Sequence, residues 1–145
     1  MAFLTEVLLG AVVAGAIMLC GWRTDRKRLV LLWAAGLIIA ALIYVAFLFR
    51  HANLRWAFIE CAGLVLFSLV SVAAVRRAPW LLAAGWLAHS GWDVVLHSQP
   101  PSFVPVWYPP ACAGFDLVVG VCVLVYLRQQ QEDERTEHSG LSKSA

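Results

Sequence analysis

His89, Asp93 and His97 recur at intervals of four in the stretch "WLAHSGWDVVLHS", which runs from Trp86 to Ser98. Positions four apart share one face of an α-helix, so these side chains form a stripe drifting by about 40° per step. Glu60 and Asp116 lie in other, equally apolar surroundings. A carboxylic acid shielded from water can hold and donate a proton, and an imidazole beside another carboxylate can take one. Glu60, His89, Asp93 and Asp116 therefore have the makings of a general acid/base site. The same side chain types bind metal, and with a divalent ion they would instead activate water. His89 with Asp93, or Asp93 with His97, could share an ion, as paired ligands four apart do on H-E-x-x-H helices. All three cannot share it from a straight helix. His89 and His97 stand about 12 Å apart along the axis, whereas ligands sit about 2.1 Å from an ion. The remaining ligands would come from Glu60, Asp116 or His51.

These residues are set in a chain of 145 residues, 61% apolar and 14% charged, with a mean hydropathy of +0.76. A soluble domain of this size could not bury that much apolar surface. Five apolar runs match the roughly 17–25 residues that cross a hydrocarbon core: Phe3 to Trp22, Leu29 to Phe49, Leu54 to Val75, Trp80 to His97, and Ala111 to Leu127. In lipid each must be a helix, because its backbone groups have no other partners. The fold expected is an all-α membrane bundle of five transmembrane helices over residues 1–127. The polar stretch 128–145 has no apolar periodicity and reads as a disordered cytoplasmic tail. A net charge of +2 without a basic, aromatic-rich patch excludes nucleic acid as partner. The lipid bilayer is the partner implied.

Orientation follows from the basic residues. Nine of the eleven lie between the first and second runs, between the third and fourth, or after the fifth; Arg50 and Arg55 lie on the other side. The positive-inside bias puts the N-terminus outside and the C-terminus in the cytoplasm. The first run carries Glu6, has no basic residue before it and a basic cluster after it. It reads as a retained helix entering N-end-out, not a cleaved signal.

Depth can then be counted. Asp93 lies about 6 Å inside the outer end of its helix, His89 about 12 Å, Glu60 about 9 Å and Asp116 about 7 Å. Glu6, His51 and His97 fall at the outer rim. Every acid within a run, and every histidine before the tail, thus belongs to one layer in the outer half, and the second run contributes no acid or histidine. An ionisable group in hydrocarbon costs at least a few kcal/mol and normally faces a protein interior or wet cavity. Four such groups in one layer imply an outward-facing pocket, roofed by the Pro-rich loop from Ser98 to Pro110.

Plainer roles stand beside this one. Buried polar side chains can join helices at about 0.6 kcal/mol per hydrogen bond. Trp33, Trp86 and Trp92 suit packing. Cys20, Cys61, Cys112 and Cys122 lack CxxC pairing and read as small packing residues. Ala11 and Gly15 form a small-xxx-small pair suited to helix contact, including contact within a homo-oligomer.

"GWLAHSGWDVVLH" followed by "VPVWYPPACAGFD" resembles a group of small bacterial integral-membrane proteins of no assigned activity. They carry a G-W-x-x-H-x-x-W-D-x-x-x-H helix, a V-P loop and a C-A-x-x-D helix start. The match covers Gly85 to Asp116 and picks out His89, Trp92, Asp93, His97, Cys112 and Asp116. That group often has a second histidine where this chain has Leu96. The resemblance implies a multi-pass protein of the bacterial inner membrane. A histidine and an acid four apart on one helix, with acids on others, is also similar to the emopamil-binding sterol isomerase type, which moves protons on a lipid. The expected function is acid/base or metal-assisted chemistry of isomerase, cyclase or hydrolase type on an apolar lipid or isoprenoid. The alternatives are binding or transport of a metal ion or proton, and a structural membrane subunit.

Overall fold

Apolar runs in hydrocarbon have only their own backbone to bond with, and the chain meets that requirement with helices throughout. The computed structural model describes residues 2–21, 25–50 and 54–143. They form α1 (Ala2–Gly21), α2 (Arg26–Phe47), a 3-10 turn (Leu48–Arg50), α3 (Leu54–Arg76), α4 (Trp80–Leu96) and α5 (Tyr108–Lys143), with no strand among the described residues. Four helices are long and apolar enough to cross a membrane: Ala2–Leu19, Arg26–Phe47, Leu54–Arg76 and, within α5, Tyr108–Asp133. α4 has 17 residues, a length of about 25 Å.

Boundaries follow local chemistry. Asp25 caps α2, its carboxylate accepting from the Arg28 amide at 3.0 Å, which satisfies one of the free amides of the first turn. α5 begins at Tyr108, three residues before the expected start, because Pro109 and Pro110 fit the first turn, where no amide donor is needed. It also runs past Leu127 to Lys143, where a disordered tail was expected. Gln, Glu and Arg are good helix formers that need no apolar face, and the Thr136 hydroxyl donates back to the Glu132 carbonyl at 2.9 Å.

α4 and α5 pack closely, and α1 lies along α5 but scarcely meets α2. A side-chain carbon at Gly10 would fall on the Ala111 carbonyl and one at Gly114 on the Val7 carbonyl, so the α1 and α5 backbones touch. Gly10, Ala14 and Met18 form the buried stripe of α1, one position off the expected Ala11/Gly15 pair. At Gly15 a side-chain carbon would meet open space. α2 packs on α3 and reaches α4 through Trp86, whose indole N–H donates to the Trp33 carbonyl at 3.1 Å. Two consecutive helices thus stand apart, with a slot between them floored by α4 and α5.

The outward faces are apolar. Leu19, Val12, Phe58, Leu69 and Val95 are each more than 60% exposed. In water such surfaces aggregate; in a bilayer lipid covers them.

Candidate functional site

The buried face of α4 carries Leu82, Gly85, Trp86, His89 and Asp93, the helical spacing that put His89 and Asp93 on one stripe. The buried start of α5 brings Cys112 and Asp116, themselves four apart, against it. Ser90 joins the two helices, its hydroxyl donating to the Ala113 carbonyl at 3.0 Å. His89 Nδ1 lies 2.6 Å from Asp116 Oδ2 and 3.7 Å from Asp93 Oδ2. The Cys112 thiol donates to Asp116 Oδ2 at 3.7 Å and stands 3.9 Å from the Tyr108 hydroxyl. One donor atom from each of His89, Asp93, Cys112 and Asp116 lies within 4.8 Å of the others, and all four residues are buried. These are the residues that could hold a metal ion.

Hydrogen bonding in this group is incomplete. Both Asp93 oxygens and Asp116 Oδ1 are buried without a partner. Buried polar atoms are normally satisfied, so three free carboxylate oxygens in one cluster call for an explanation.

Glu60 and His97 form a second, separate pair. His97 was expected at a wet rim, and Glu60 among the residues around His89. Instead His97 is 2% exposed and its Nε2 lies 3.0 Å from Glu60 Oε1. The loop following α4 folds back and buries Phe103 and Val104 with Tyr44, forming the expected roof. Tyr44 stacks on His97 with ring centroids 4.4 Å apart, and Trp56 lies 5.6 Å away. His97 therefore stands outside the four-donor group. His51 lies outside the described residues.

Two side chains gain weight that residue spacing and burial cost did not give them, although the motif likeness included Cys112. Cys112, expected as packing, touches Asp116; the spacing of four was the available signal. Tyr44 of α2 is 1% exposed, and its buried hydroxyl makes no close hydrogen bond but stands near enough to Asp93 to act on it. Cys61, Cys112 and Cys122 are free thiols.

Two cavities flank the cluster. One, of about 460 Å³, fills the slot between α1 and α2; Leu9, Val13, Trp33, Ile39, Phe115 and Trp86 contribute apolar walls, and Cys112 and Asp116 lie in its lining. The other, of about 290 Å³, lies under the loop and is lined by Glu6, Asp93, His97, Ser98 and the prolines Pro100, Pro109 and Pro110. Glu6, expected near the rim, thus faces the same cavity as Asp93.

No family model, curated protein or solved structure matches this chain. The likeness drawn over Gly85 to Asp116 rests on its motifs.

Proposed function

We propose that the protein is a membrane-embedded enzyme performing acid/base chemistry on an apolar lipid or isoprenoid lodged between α1 and α2. One observation carries this reading: an apolar cavity of ligand-holding size counts Asp116, one half of a buried His–Asp pair, among the residues around it. In the topology we infer, all five helices cross the bacterial inner membrane with the N-terminus outside, as the basic residues imply. The His89/Asp116 cluster then lies in the outer half, and the slot opens sideways to lipid.

The geometry suits proton transfer. His89 and Asp116 share a proton across 2.6 Å, so one carries it while the other offers a lone pair. A substrate carbon or oxygen reaching Asp116 meets that proton with little competing water, and a proton taken from a neighbouring atom can return to the pair. Positive charge developing on an apolar chain would face the rings of Trp33 and Trp86, which stabilise a cation within about 6 Å. The second cavity reaches Asp93 from the loop side and supplies exchange with water.

The test combines labelling with a lipid profile. A diazirine-bearing fatty acid or farnesyl probe, photolysed in membranes, should label α1, α2 and α5 around the slot above the open α3 face of Phe58, Val65 and Leu69. Cells expressing the wild type, but not Asp116→Asn, should deplete one apolar lipid and gain another. Uniform labelling together with identical lipid profiles would refute the proposal.

A further inference from the structure

We infer that His89, Asp93, Cys112 and Asp116 together bind one divalent transition-metal ion of the zinc class. The inference uses the residues of the proposed active site but does not depend on its substrate.

Convergence comes first. Two helices each supply two ligand-type side chains at a spacing of four, and the four donor atoms fall within 4.8 Å of one another. Ligands held tetrahedrally at about 2.0–2.3 Å from zinc are roughly 3.3–3.8 Å apart. His89 Nδ1 to Asp93 Oδ2 and Cys112 Sγ to Asp116 Oδ2 are both 3.7 Å. The shorter contact of Asp116 Oδ2 with His89 Nδ1 is a hydrogen bond that the ion replaces: the shared proton leaves, Nδ1 becomes a ligand, and the carboxylate turns to present Oδ1, which makes no hydrogen bond.

The unpartnered oxygens are the second, independent observation. Asp93 has two and Asp116 one, each buried, and no lysine or arginine is among the described residues that are buried. The donors beside them, the His89 imidazole, the Tyr44 hydroxyl and the Cys112 thiol, bring at most one positive charge to two carboxylates. A divalent cation offsets both carboxylate charges at once.

Donor chemistry selects the ion. Calcium and magnesium take sets made of oxygen, whereas nitrogen, sulfur and carboxylate together suit zinc and its neighbours. The Tyr108 hydroxyl, 3.9 Å from Cys112 Sγ, is placed to steady a thiolate, as outer-shell partners do. The cavity lined by Glu6 and Asp93 gives a hydrated ion an approach that avoids the apolar slot.

The protein is purified in mild detergent without chelator, its metal content is measured, and the metal-free form is titrated with Co²⁺. About one metal equivalent per chain should be bound. Cobalt should add a thiolate-to-metal charge-transfer band in the near ultraviolet with tetrahedral d–d absorption. Cys112→Ser should lose that band. Asp93→Asn should weaken cobalt binding by more than about tenfold, the least expected when even an outer-shell partner is lost. Cys61→Ser, on an exposed face, should change neither. Folded wild type that binds neither Co²⁺ nor Zn²⁺, or binds cobalt without the thiolate band, overturns the inference, and this arm needs no variant to fold. Absence of metal alongside an Asp116-dependent lipid change would leave acid/base chemistry standing alone. Metal binding with no lipid change would remove the substrate reading and keep the metal site.

Discussion

Replacing His97 by alanine separates the two polar groups of the site, because the structure assigns it a structural partner. His97 Nε2 lies 3.0 Å from Glu60 Oε1, with side chains 0% and 2% exposed. Removing the imidazole strands a buried carboxyl, at a cost of about 3–5 kcal/mol. Lost stacking on Tyr44, at 4.4 Å, adds about 1 kcal/mol. The total approaches half of a typical folding free energy of about 5–15 kcal/mol. At roughly 2–4 °C per kcal/mol the melting temperature should fall by about 10–20 °C. The paired change Glu60→Met/His97→Leu replaces both groups with apolar volume and should recover most of the loss, while cobalt binding at His89 and Cys112 persists. Intrinsic fluorescence during thermal unfolding in detergent reads the first result and the cobalt spectrum the second. A drop of only a few degrees in His97→Ala, or a double variant no more stable than the single one, would refute the assignment of His97 and Glu60 as a self-contained pair.

Asp93→Asn should leave the melting temperature within a few degrees of wild type, since the carboxylate makes no close hydrogen bond and Asn keeps its shape beside His89, 3.7 Å away, yet abolish the lipid change and metal retention; intact function in this variant would remove Asp93 from the chemistry. Gly114→Val drives a methyl-bearing carbon onto the Val7 carbonyl and should destabilise by about 1–3 kcal/mol or more through overpacking, measured as a lower unfolding temperature. A cysteine at Ser102 should react with an impermeant thiol reagent in intact cells and one at Gln131 should not; the opposite pattern would invert the membrane. Ala40→Trp, which fills the slot from α2, should block photolabelling while leaving cobalt binding intact.

Much of this was legible in the chain. Apolar runs bounded by basic and proline-rich breaks marked the helices, most ends displaced by a few residues and the end of α5 carried from Leu127 to Lys143. The grouping of His89, Asp93 and Asp116 was legible from the expense of burying ionisable groups. What was not legible depended on rotation and on loops. A depth count puts His97 at a rim but cannot see Phe103 and Val104 folding over it. Rise per residue gives Glu60 a depth along its helix but does not say that it turns to His97. Cys112 and Tyr44 are also ordinary packing residues, and only their neighbours distinguish them. The contact between α1 and α5 needed the choice of Gly10 over Gly15, a rotation of the helix that hydropathy does not encode.

The two polar groups differ in how much hydrogen bonding they leave unmet: His97 Nδ1 alone in the Glu60–His97 pair, three carboxylate oxygens in the other. Glu60 and His97 bond to each other, and aromatic rings enclose them; their arrangement serves stability, and apolar residues of the same volume would serve it too. Asp93 and Asp116 hold three buried oxygens without a close hydrogen bond, His89 Nδ1 approaching Asp93 Oδ2 only to 3.7 Å, and each is unfavourable by about 1–3 kcal/mol if left so. No packing advantage explains this, because leucine or asparagine would fill the space at lower cost. A bundle selected for stability alone would lose these carboxylates. Their presence beside an imidazole and a thiol, next to an apolar cavity of about 460 Å³, follows if something absent from the folded chain itself, a proton in transit or a metal ion, completes them during function.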